Sequence, residues 1–130
     1  MLCDSNILIY AADPDDTRCT PFAERDDAAI ASVSRIEVLG FPGFGQLPED
    51  RRARLHEIVV SLVELELNES VIQRAIALRQ QKKMSLADAI IAATALAHDL
   101  PLVTRNVDDF KHVAGLKLIN PFEAPPDEAE

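Results

Sequence analysis

The chain has 130 residues, with 22 acidic and 13 basic side chains and a formal net charge of −9. This length suits one domain, and the aliphatic composition, which lacks tryptophan, can supply its core. The charge argues against a protein that holds nucleic acid by bulk electrostatic attraction, and no segment is long and uncharged enough to span a bilayer.

The start of the chain and its cysteines indicate the compartment. Met1 leads directly into a predicted strand, which leaves no room for a signal peptide, so the sequence predicts a cytoplasmic protein. Cys3 and Cys19 have no CxxC neighbour. Neither a disulfide nor a zinc site is therefore expected in a reducing compartment.

Apolar runs and helical periodicity alternate along the chain, without internal repeats. They predict strands at 2–4, 28–32, 63–67, 102–104 and 117–119, and helices at 5–12, 20–26, 34–39, 48–61, 69–82 and 86–97. The helix 86–97 is apolar all round apart from Asp88 and Thr94, and is expected to be buried. Helical crossovers between apolar strands predict an α/β fold, a three-layer α/β/α sandwich with a central mostly parallel sheet.

Acidic side chains stand where these elements join. Asp4 follows the first strand, and the segment 104–109 follows the last core strand. The carboxyl ends of parallel strands share one edge of a sheet, where α/β folds place their ligands. Glu37 and Asp88 lie near the starts of helices and are expected to point at the same edge.

Each of these acids has an alternative interpretation as a helix cap. Asp4 directly precedes a helical run, and Asp is a favoured N-cap residue. Ser34-Arg35-Ile36-Glu37 fits the capping box, and Ser85-Leu86-Ala87-Asp88 fits its looser form. The expected convergence of these acids at one edge argues against caps alone. Carboxylates that meet without matching cations repel one another, and bound metal relieves the repulsion. Carboxylates and water are the ligands that Mg²⁺ prefers, and such a site can activate water against a phosphodiester.

Other chemistries lack a sequence pattern. His56, His98 and His112 show no HExxH spacing and are expected to be structural or solvent-facing. There is also no P-loop, GxGxxG or GxSxG motif, so nucleotide binding and serine hydrolysis are not indicated.

Four segments in this order resemble the PIN-domain family, and within it the VapC-type toxins of toxin–antitoxin pairs. They are Leu2-Cys3-Asp4-Ser5-Asn6-Ile7-Leu8-Ile9, Ser34-Arg35-Ile36-Glu37, Leu86-Ala87-Asp88-Ala89-Ile90-Ile91-Ala92-Ala93-Thr94-Ala95 and Leu102-Val103-Thr104-Arg105-Asn106-Val107-Asp108-Asp109-Phe110. The resemblance covers nearly the whole chain. It implies a PIN-like domain over 1–120, and the acidic tail at 121–130 is expected to be flexible.

The resemblance implies a Mg²⁺-dependent endoribonuclease, with Mn²⁺ as a possible substitute, whose catalytic and metal-binding acids are Asp4, Glu37 and Asp88. Asn106 stands where a fourth acid is often found in the family. It can still bind the metal or hold a water, and Asp109 can substitute for it. The residues expected to orient water, a carboxylate or a phosphate are Ser5, Asn6, Thr104 and Arg105.

The resemblance also implies partners: a small antitoxin that blocks the active site, an RNA substrate and a second copy of the chain in a homodimer. An acidic crevice would complement a basic segment of the antitoxin. The alternative is a PIN-like module that has lost activity and acts by protein or RNA binding, which Asn106 and the acidic surface favour. Metal-dependent RNA cleavage distinguishes the two.

Overall fold

The computed structural model describes residues 1–123, so most of the predicted flexible tail, residues 124–130, lies outside the described residues. The strands are β1 (Leu2–Cys3), β2 (Ala29–Ala31), β3 (Val63–Leu65), β4 (Leu102–Val103) and β5 (Leu118–Ile119). The helices are α1 (Ser5–Ala11), α2 (Thr20–Ala23), α3 (Ser32–Gly40), α4 (Glu49–Ser61), α5 (Glu69–Gln81), α6 (Leu86–Ala97) and α7 (Val107–Phe110), with a 3-10 turn at Phe44–Gln46. The predicted α/β class is confirmed.

The five strands form one sheet in the order β3-β2-β1-β4-β5, and all four pairings are parallel. Leu2 of β1 aligns with Ala29 of β2 on one side and with Leu102 of β4 on the other. Because β1 and β4 are adjacent, the residues that follow them, Asp4 and Thr104, leave the sheet side by side. The end of the sheet at which they leave is called the carboxyl edge below.

Helices cover the sheet on both faces, which gives the three predicted layers. Alternate residues of the strands face opposite sides: Leu2 packs with α5, α6 and α7, whereas Cys3 packs with α1, α2, α3 and α4. Helix α6 is buried along most of its length, as its apolar sequence predicts. The thiols of Cys3 and Cys19 are buried, and burial raises their pKa to about 12 and about 11, so both stay protonated at neutral pH.

Several boundaries differ from the predicted ones. Helix α3 begins at Ser32, directly after β2, rather than at Ser34. Strand β3 ends at Leu65 rather than Leu67, because its only partner, β2, offers three residues for pairing. The short helix α7 was not predicted, although Asp108 and Asp109 in its first turn suit the helix dipole. Within residues 1–123, no helix has the length and apolar character needed to cross a membrane.

Phe110 anchors α7 and the loop before it to the core. Its side chain is fully buried in the cluster formed by α5, α6 and the sheet. We expect Phe110→Ala to lower the free energy of unfolding by about 3–5 kcal/mol, the usual cost of emptying a buried aromatic site. Val60→Ala, at a position 83% exposed, should change it by less than about 0.5 kcal/mol. Urea unfolding measures both, and equal effects would contradict the assignment of Phe110 to the core.

Candidate functional site

Asp4 is a buried carboxylate at the carboxyl edge. It is 6% exposed and caps the N-terminus of α1 from an extended backbone conformation. The Ser5 N–H donates to its Oδ1 at 2.7 Å, and the Thr104 hydroxyl donates to its Oδ2 at 2.8 Å. Burial raises the pKa of Asp4, the two hydrogen bonds oppose that rise, and the charges of Asp88 and Glu37 add to it. Asp4 is therefore both a helix cap and a member of a group of acids.

Thr104 links the two central strands at this edge. It follows β4, is fully buried, and accepts the Asn106 N–H at 3.0 Å on the same hydroxyl that donates to Asp4. The Asp4 N–H in turn donates to the Val103 carbonyl at 2.9 Å. These bonds fix the Asp4 carboxylate relative to the turn that leads to α7.

Glu37 reaches the site from α3. Its Oε1 accepts the Ser5 hydroxyl at 2.6 Å, a contact between residues 32 positions apart. The capping-box interpretation of Glu37 is wrong, because α3 starts at Ser32, which puts Glu37 in the second turn. Ser34, the cap in that interpretation, lies inside the helix, and within residues 1–123 its buried hydroxyl has no hydrogen-bond partner. The side chain of Glu37 thus turns toward α1 rather than toward its own helix end.

Asp88 stands in the first turn of α6 and is half-buried. Its N–H donates to the Ser85 hydroxyl at 3.1 Å, so the predicted cap of this helix is present. Burial raises the pKa of its carboxyl, and the charges of Asp109 and Glu37 raise it further. Electrostatic coupling therefore connects Asp88 to Glu37 and Asp4 on one side and to Asp109 on the other.

Two small clefts lie beside these acids. One, of about 210 Å³, is lined by Asp88, Asp108 and Asp109 together with Lys82, Lys83 and His112. The other, of about 230 Å³, is lined by Arg105, Asn106, Asp108, Asp109 and Glu123. The residues common to both are Asp108 and Asp109, so the clefts adjoin. Among the predicted positioning residues, Ser5 and Thr104 are buried in the hydrogen-bond network, whereas Asn6 and Arg105 are exposed. Asn106, a predicted metal ligand, is exposed as well.

The acids present a donor set that suits a hard cation. Asp4, Glu37, Asp88 and Asp109 form no ion pair within residues 1–123. In the same residues no three acidic, histidine or cysteine side chains are grouped closely enough to enclose an ion. Carboxylate oxygens are the donor type that Mg²⁺ prefers, and this ion is usually held by one or two carboxylates and keeps several waters.

A second group of side chains flanks the acids, and of its members only Arg105 was expected there from the sequence. We call Tyr10, Arg18, Arg105 and Phe122 the aromatic–arginine cluster. The guanidinium carbons of Arg18 and Arg105 lie 4.2 and 4.1 Å from the centroid of the Phe122 ring. Tyr10 packs edge-on against Phe122 at 5.0 Å, and its hydroxyl accepts an Arg105 N–H at 3.2 Å. The cluster joins α1, the turn after β4 and the segment after β5.

Comparison with known proteins gives one family. The sequence model of the PIN domain matches residues 1–116. No curated protein sequence matches the chain significantly.

Solved structures of toxin–antitoxin systems are similar to this fold. A toxin–antitoxin complex from Klebsiella pneumoniae contains a chain that is 30% identical, with 95% of this chain and 98% of that chain covered and a TM-score of 0.74. FitAcB from Neisseria gonorrhoeae contains a chain that is 24% identical, with 95% of this chain and 99% of that chain covered and a TM-score of 0.75. VapBC2 from Rickettsia felis, bound to a promoter DNA fragment, contains a chain that is 22% identical, with 92% of this chain and 96% of that chain covered and a TM-score of 0.75.

The hydroxyl of Thr104 should be needed for stability. In Thr104→Val, the buried Asp4 carboxylate loses a donor, and the free energy of unfolding should fall by about 1–3 kcal/mol. Thr104→Ser keeps the hydroxyl and should lose less. Chemical unfolding at pH 7 without metal measures the difference, and a Thr104→Val variant as stable as the wild type would mean that the hydrogen bond contributes nothing.

Asp88 should destabilise the metal-free protein at neutral pH. Its pKa is raised in the fold, so the protonated form is favoured there, and the stability this contributes at low pH is lost as the pH rises through the folded pKa. Asp88→Asn should therefore be more stable than the wild type at pH 7, with the gain disappearing below about pH 4. Urea unfolding in EDTA across this pH range measures it, with exposed Asp26→Asn as the matched control. A variant less stable than the wild type at pH 7 would make Asp88 a cap only.

Proposed function

This chain belongs to the PIN-domain family, and we propose that it is a Mg²⁺-dependent endoribonuclease that acts as the toxin of a toxin–antitoxin pair. The predicted resemblance to the PIN-domain family, and within it to VapC-type toxins, is confirmed. To this family membership the proposal adds the reaction, the metal ion and the residues that bind it and support the reaction.

One observation carries the proposal: two hydrogen-bonded carboxylates and a third coupled to them stand at one edge, and none of the three forms an ion pair within residues 1–123. Thr104 and Ser5 hold Asp4, and Ser5 also holds Glu37. Asp88 raises the pKa of Asp4 from a different helix. A protein gains nothing in stability from such repulsion, so the arrangement favours a binding role for the acids.

The proposed chemistry is hydrolysis of an RNA phosphodiester bond. Bound Mg²⁺, or Mn²⁺ in its place, supplies an activated water and neutralises negative charge on the phosphate. Asp4, Glu37 and Asp88 would hold the ion, one or two of them directly and the rest through its retained waters. Asp4 is fixed for this task because each of its oxygens already accepts one hydrogen bond, which leaves a defined direction for a second interaction.

The remaining residues of the edge would support these three. Asn106 and Asp109 lie in the same cleft and would bind the ion directly or through water. Asn6 is exposed beside Ser5 and would orient water. The Ser5 and Thr104 hydroxyls would fix the directions of the carboxylates, the role that outer-shell hydrogen bonds have at metal sites.

The proposal includes a protein partner. The Klebsiella pneumoniae chain that is 30% identical belongs to a toxin–antitoxin complex. An antitoxin of this chain would block the edge most simply by placing a basic segment among Asp4, Glu37 and Asp88. We also propose that the toxin is a homodimer and meets its RNA in the cytoplasm.

A second candidate function is a PIN-like module that binds protein or RNA without cleaving it. Two observations favour it: within residues 1–123 no three potential ligands are grouped around one point, and Asn106 replaces an acid with a neutral amide. The two candidates differ in whether metal binding is accompanied by turnover.

The test is calorimetric titration with Mg²⁺ and Mn²⁺, combined with an RNA-cleavage assay on the same samples. We expect wild type to bind metal and cleave RNA, and Asp88→Asn to lose about tenfold or more in both. Asp26→Asn, the same substitution at an exposed position, should match wild type.

The other outcomes separate the candidates. Metal binding without cleavage by the wild type would favour the binding module. Full cleavage in EDTA would exclude the proposed mechanism. Absence of metal binding in both wild type and Asp88→Asn would leave the acids as structural groups.

A further inference from the structure

Arg105 is held in place before any ligand arrives. Its guanidinium carbon lies 4.1 Å from the centroid of Phe122 and 5.5 Å from that of Tyr10, and one N–H donates to the Tyr10 hydroxyl. Arginine side chains on a protein surface are otherwise among the most mobile groups, and ordering one on binding costs conformational entropy. The aromatic rings therefore reduce the entropy cost of any contact that Arg105 makes.

The charge of Arg105 is available to a ligand. Within residues 1–123 it forms no ion pair, although it stacks on an aromatic ring. Arg18, the other arginine on Phe122, donates to both carboxylate oxygens of Asp16 at 3.0 Å or less, and these bonds lower the pKa of Asp16 to about 2. Asp16 thus stays ionised and neutralises Arg18, and the net positive charge of the cluster resides on Arg105.

The position of Arg105 relates it to the acids. It directly follows Thr104, which binds Asp4, and it lines one cleft with Asn106 and Asp109. A guanidinium with several free N–H donors binds phosphate oxygens well. A nucleic-acid strand lying across the acids would place a neighbouring phosphate at Arg105.

We propose that Phe122 is a positioning residue for single-stranded RNA, which holds Arg105 so that its guanidinium binds a backbone phosphate next to Asp4 and Asp88. This inference deepens the proposed function and rests on it for the identity of the ligand. It assigns a role in the substrate site to the segment after β5, at the opposite end of the chain from Asp4. Because phosphate is the group recognised, the contact should contribute affinity without preference for a base.

The experiment measures RNA binding and cleavage in parallel. Binding of a labelled single-stranded RNA of mixed sequence is followed by fluorescence anisotropy without divalent metal, and KM and kcat are measured with Mn²⁺. Phe122→Leu keeps apolar volume but removes the aromatic face. It should raise Kd and KM about two- to tenfold and leave kcat nearly unchanged. Phe122→Tyr keeps the face and should restore both values. A thermal melt of each variant checks the fold.

A double-mutant cycle separates positioning from direct contact with a base. If Phe122 acts through Arg105, then Phe122→Leu should have little further effect on Kd in an Arg105→Ala background. Multiplying effects would mean that Phe122 stacks on a base itself, and would overturn the proposal. Arg105→Ala should also reduce the dependence of log Kd on log salt by about 0.7, the value for one phosphate contact on a single strand.

Arg25→Ala is the matched control for removing one positive charge. Arg25 pairs with Asp27, which also contacts the Met1 amino group before β1, at the opposite end of the sheet from Asp4. It should leave Kd, KM and the salt dependence unchanged. Equal effects of Arg25→Ala and Arg105→Ala would mean that RNA binding depends only on the net charge of the protein, and would overturn the proposal.

The outcomes also distinguish this inference from the proposed function. RNA binding that depends on Phe122, in a wild type that does not cleave, would support the inference and contradict the endoribonuclease proposal. Cleavage with Kd and KM unchanged in Phe122→Leu would do the reverse.

Discussion

The buried carboxylate of Asp4 is the constraint on which the arrangement of the site depends. A carboxylate that is 6% exposed is costly unless its oxygens are hydrogen-bonded, and here both are. One donor belongs to α1 and the other to the residue that follows β4, so the charge can be buried only when these elements are correctly placed. The parallel pairing of β1 and β4 supplies this placement. The Ser5 side chain then adds Glu37, and with it α3, to the same network.

The sequence was sufficient to predict the sheet and the edge at which Asp4 lies, because both follow from local patterns. Short apolar runs separated by helical periodicity predict parallel strands, and residues just after such strands must share an edge. Asp4 and the segment 104–109 meet this rule, whereas Asp88 stands at the start of a helix that follows another helix. The hydrogen-bond partner of Glu37 could not be predicted, since the pattern Ser34-Arg35-Ile36-Glu37 looks like a cap. The real start of α3 is set by the tertiary course of the chain, in which β2 runs into the helix without a break.

The aromatic–arginine cluster lay beyond sequence reasoning for a different reason. Tyr10, Arg18, Arg105 and Phe122 come from four separate parts of the chain, and only Arg105 lies in a segment that carries the family resemblance. Phe122 falls in the part of the chain that its acidic, proline-containing composition assigned to the tail. Its place becomes apparent only when β5 pairs beside β4 and the segment after it turns back, with the Phe122 N–H donating to Asn120 Oδ1 at 2.9 Å. Residues that act through tertiary stacking leave no spacing pattern to find.

The distribution of charge explains how so acidic a chain could act on RNA as proposed. Arg18, Arg25, Arg35, Arg51, Arg54 and Lys111 are paired with carboxylates of the protein itself, so net charge is a poor measure of the field at any one place. At the carboxyl edge the acids repel phosphate and Arg105 attracts it. A divalent cation among Asp4, Glu37 and Asp88 would turn their repulsion of phosphate into attraction. Metal and RNA would then strengthen each other's binding by the same factor, because coupling between two ligands is reciprocal. An acidic surface with one fixed arginine would therefore bind RNA strongly only when the metal needed for cleavage is present.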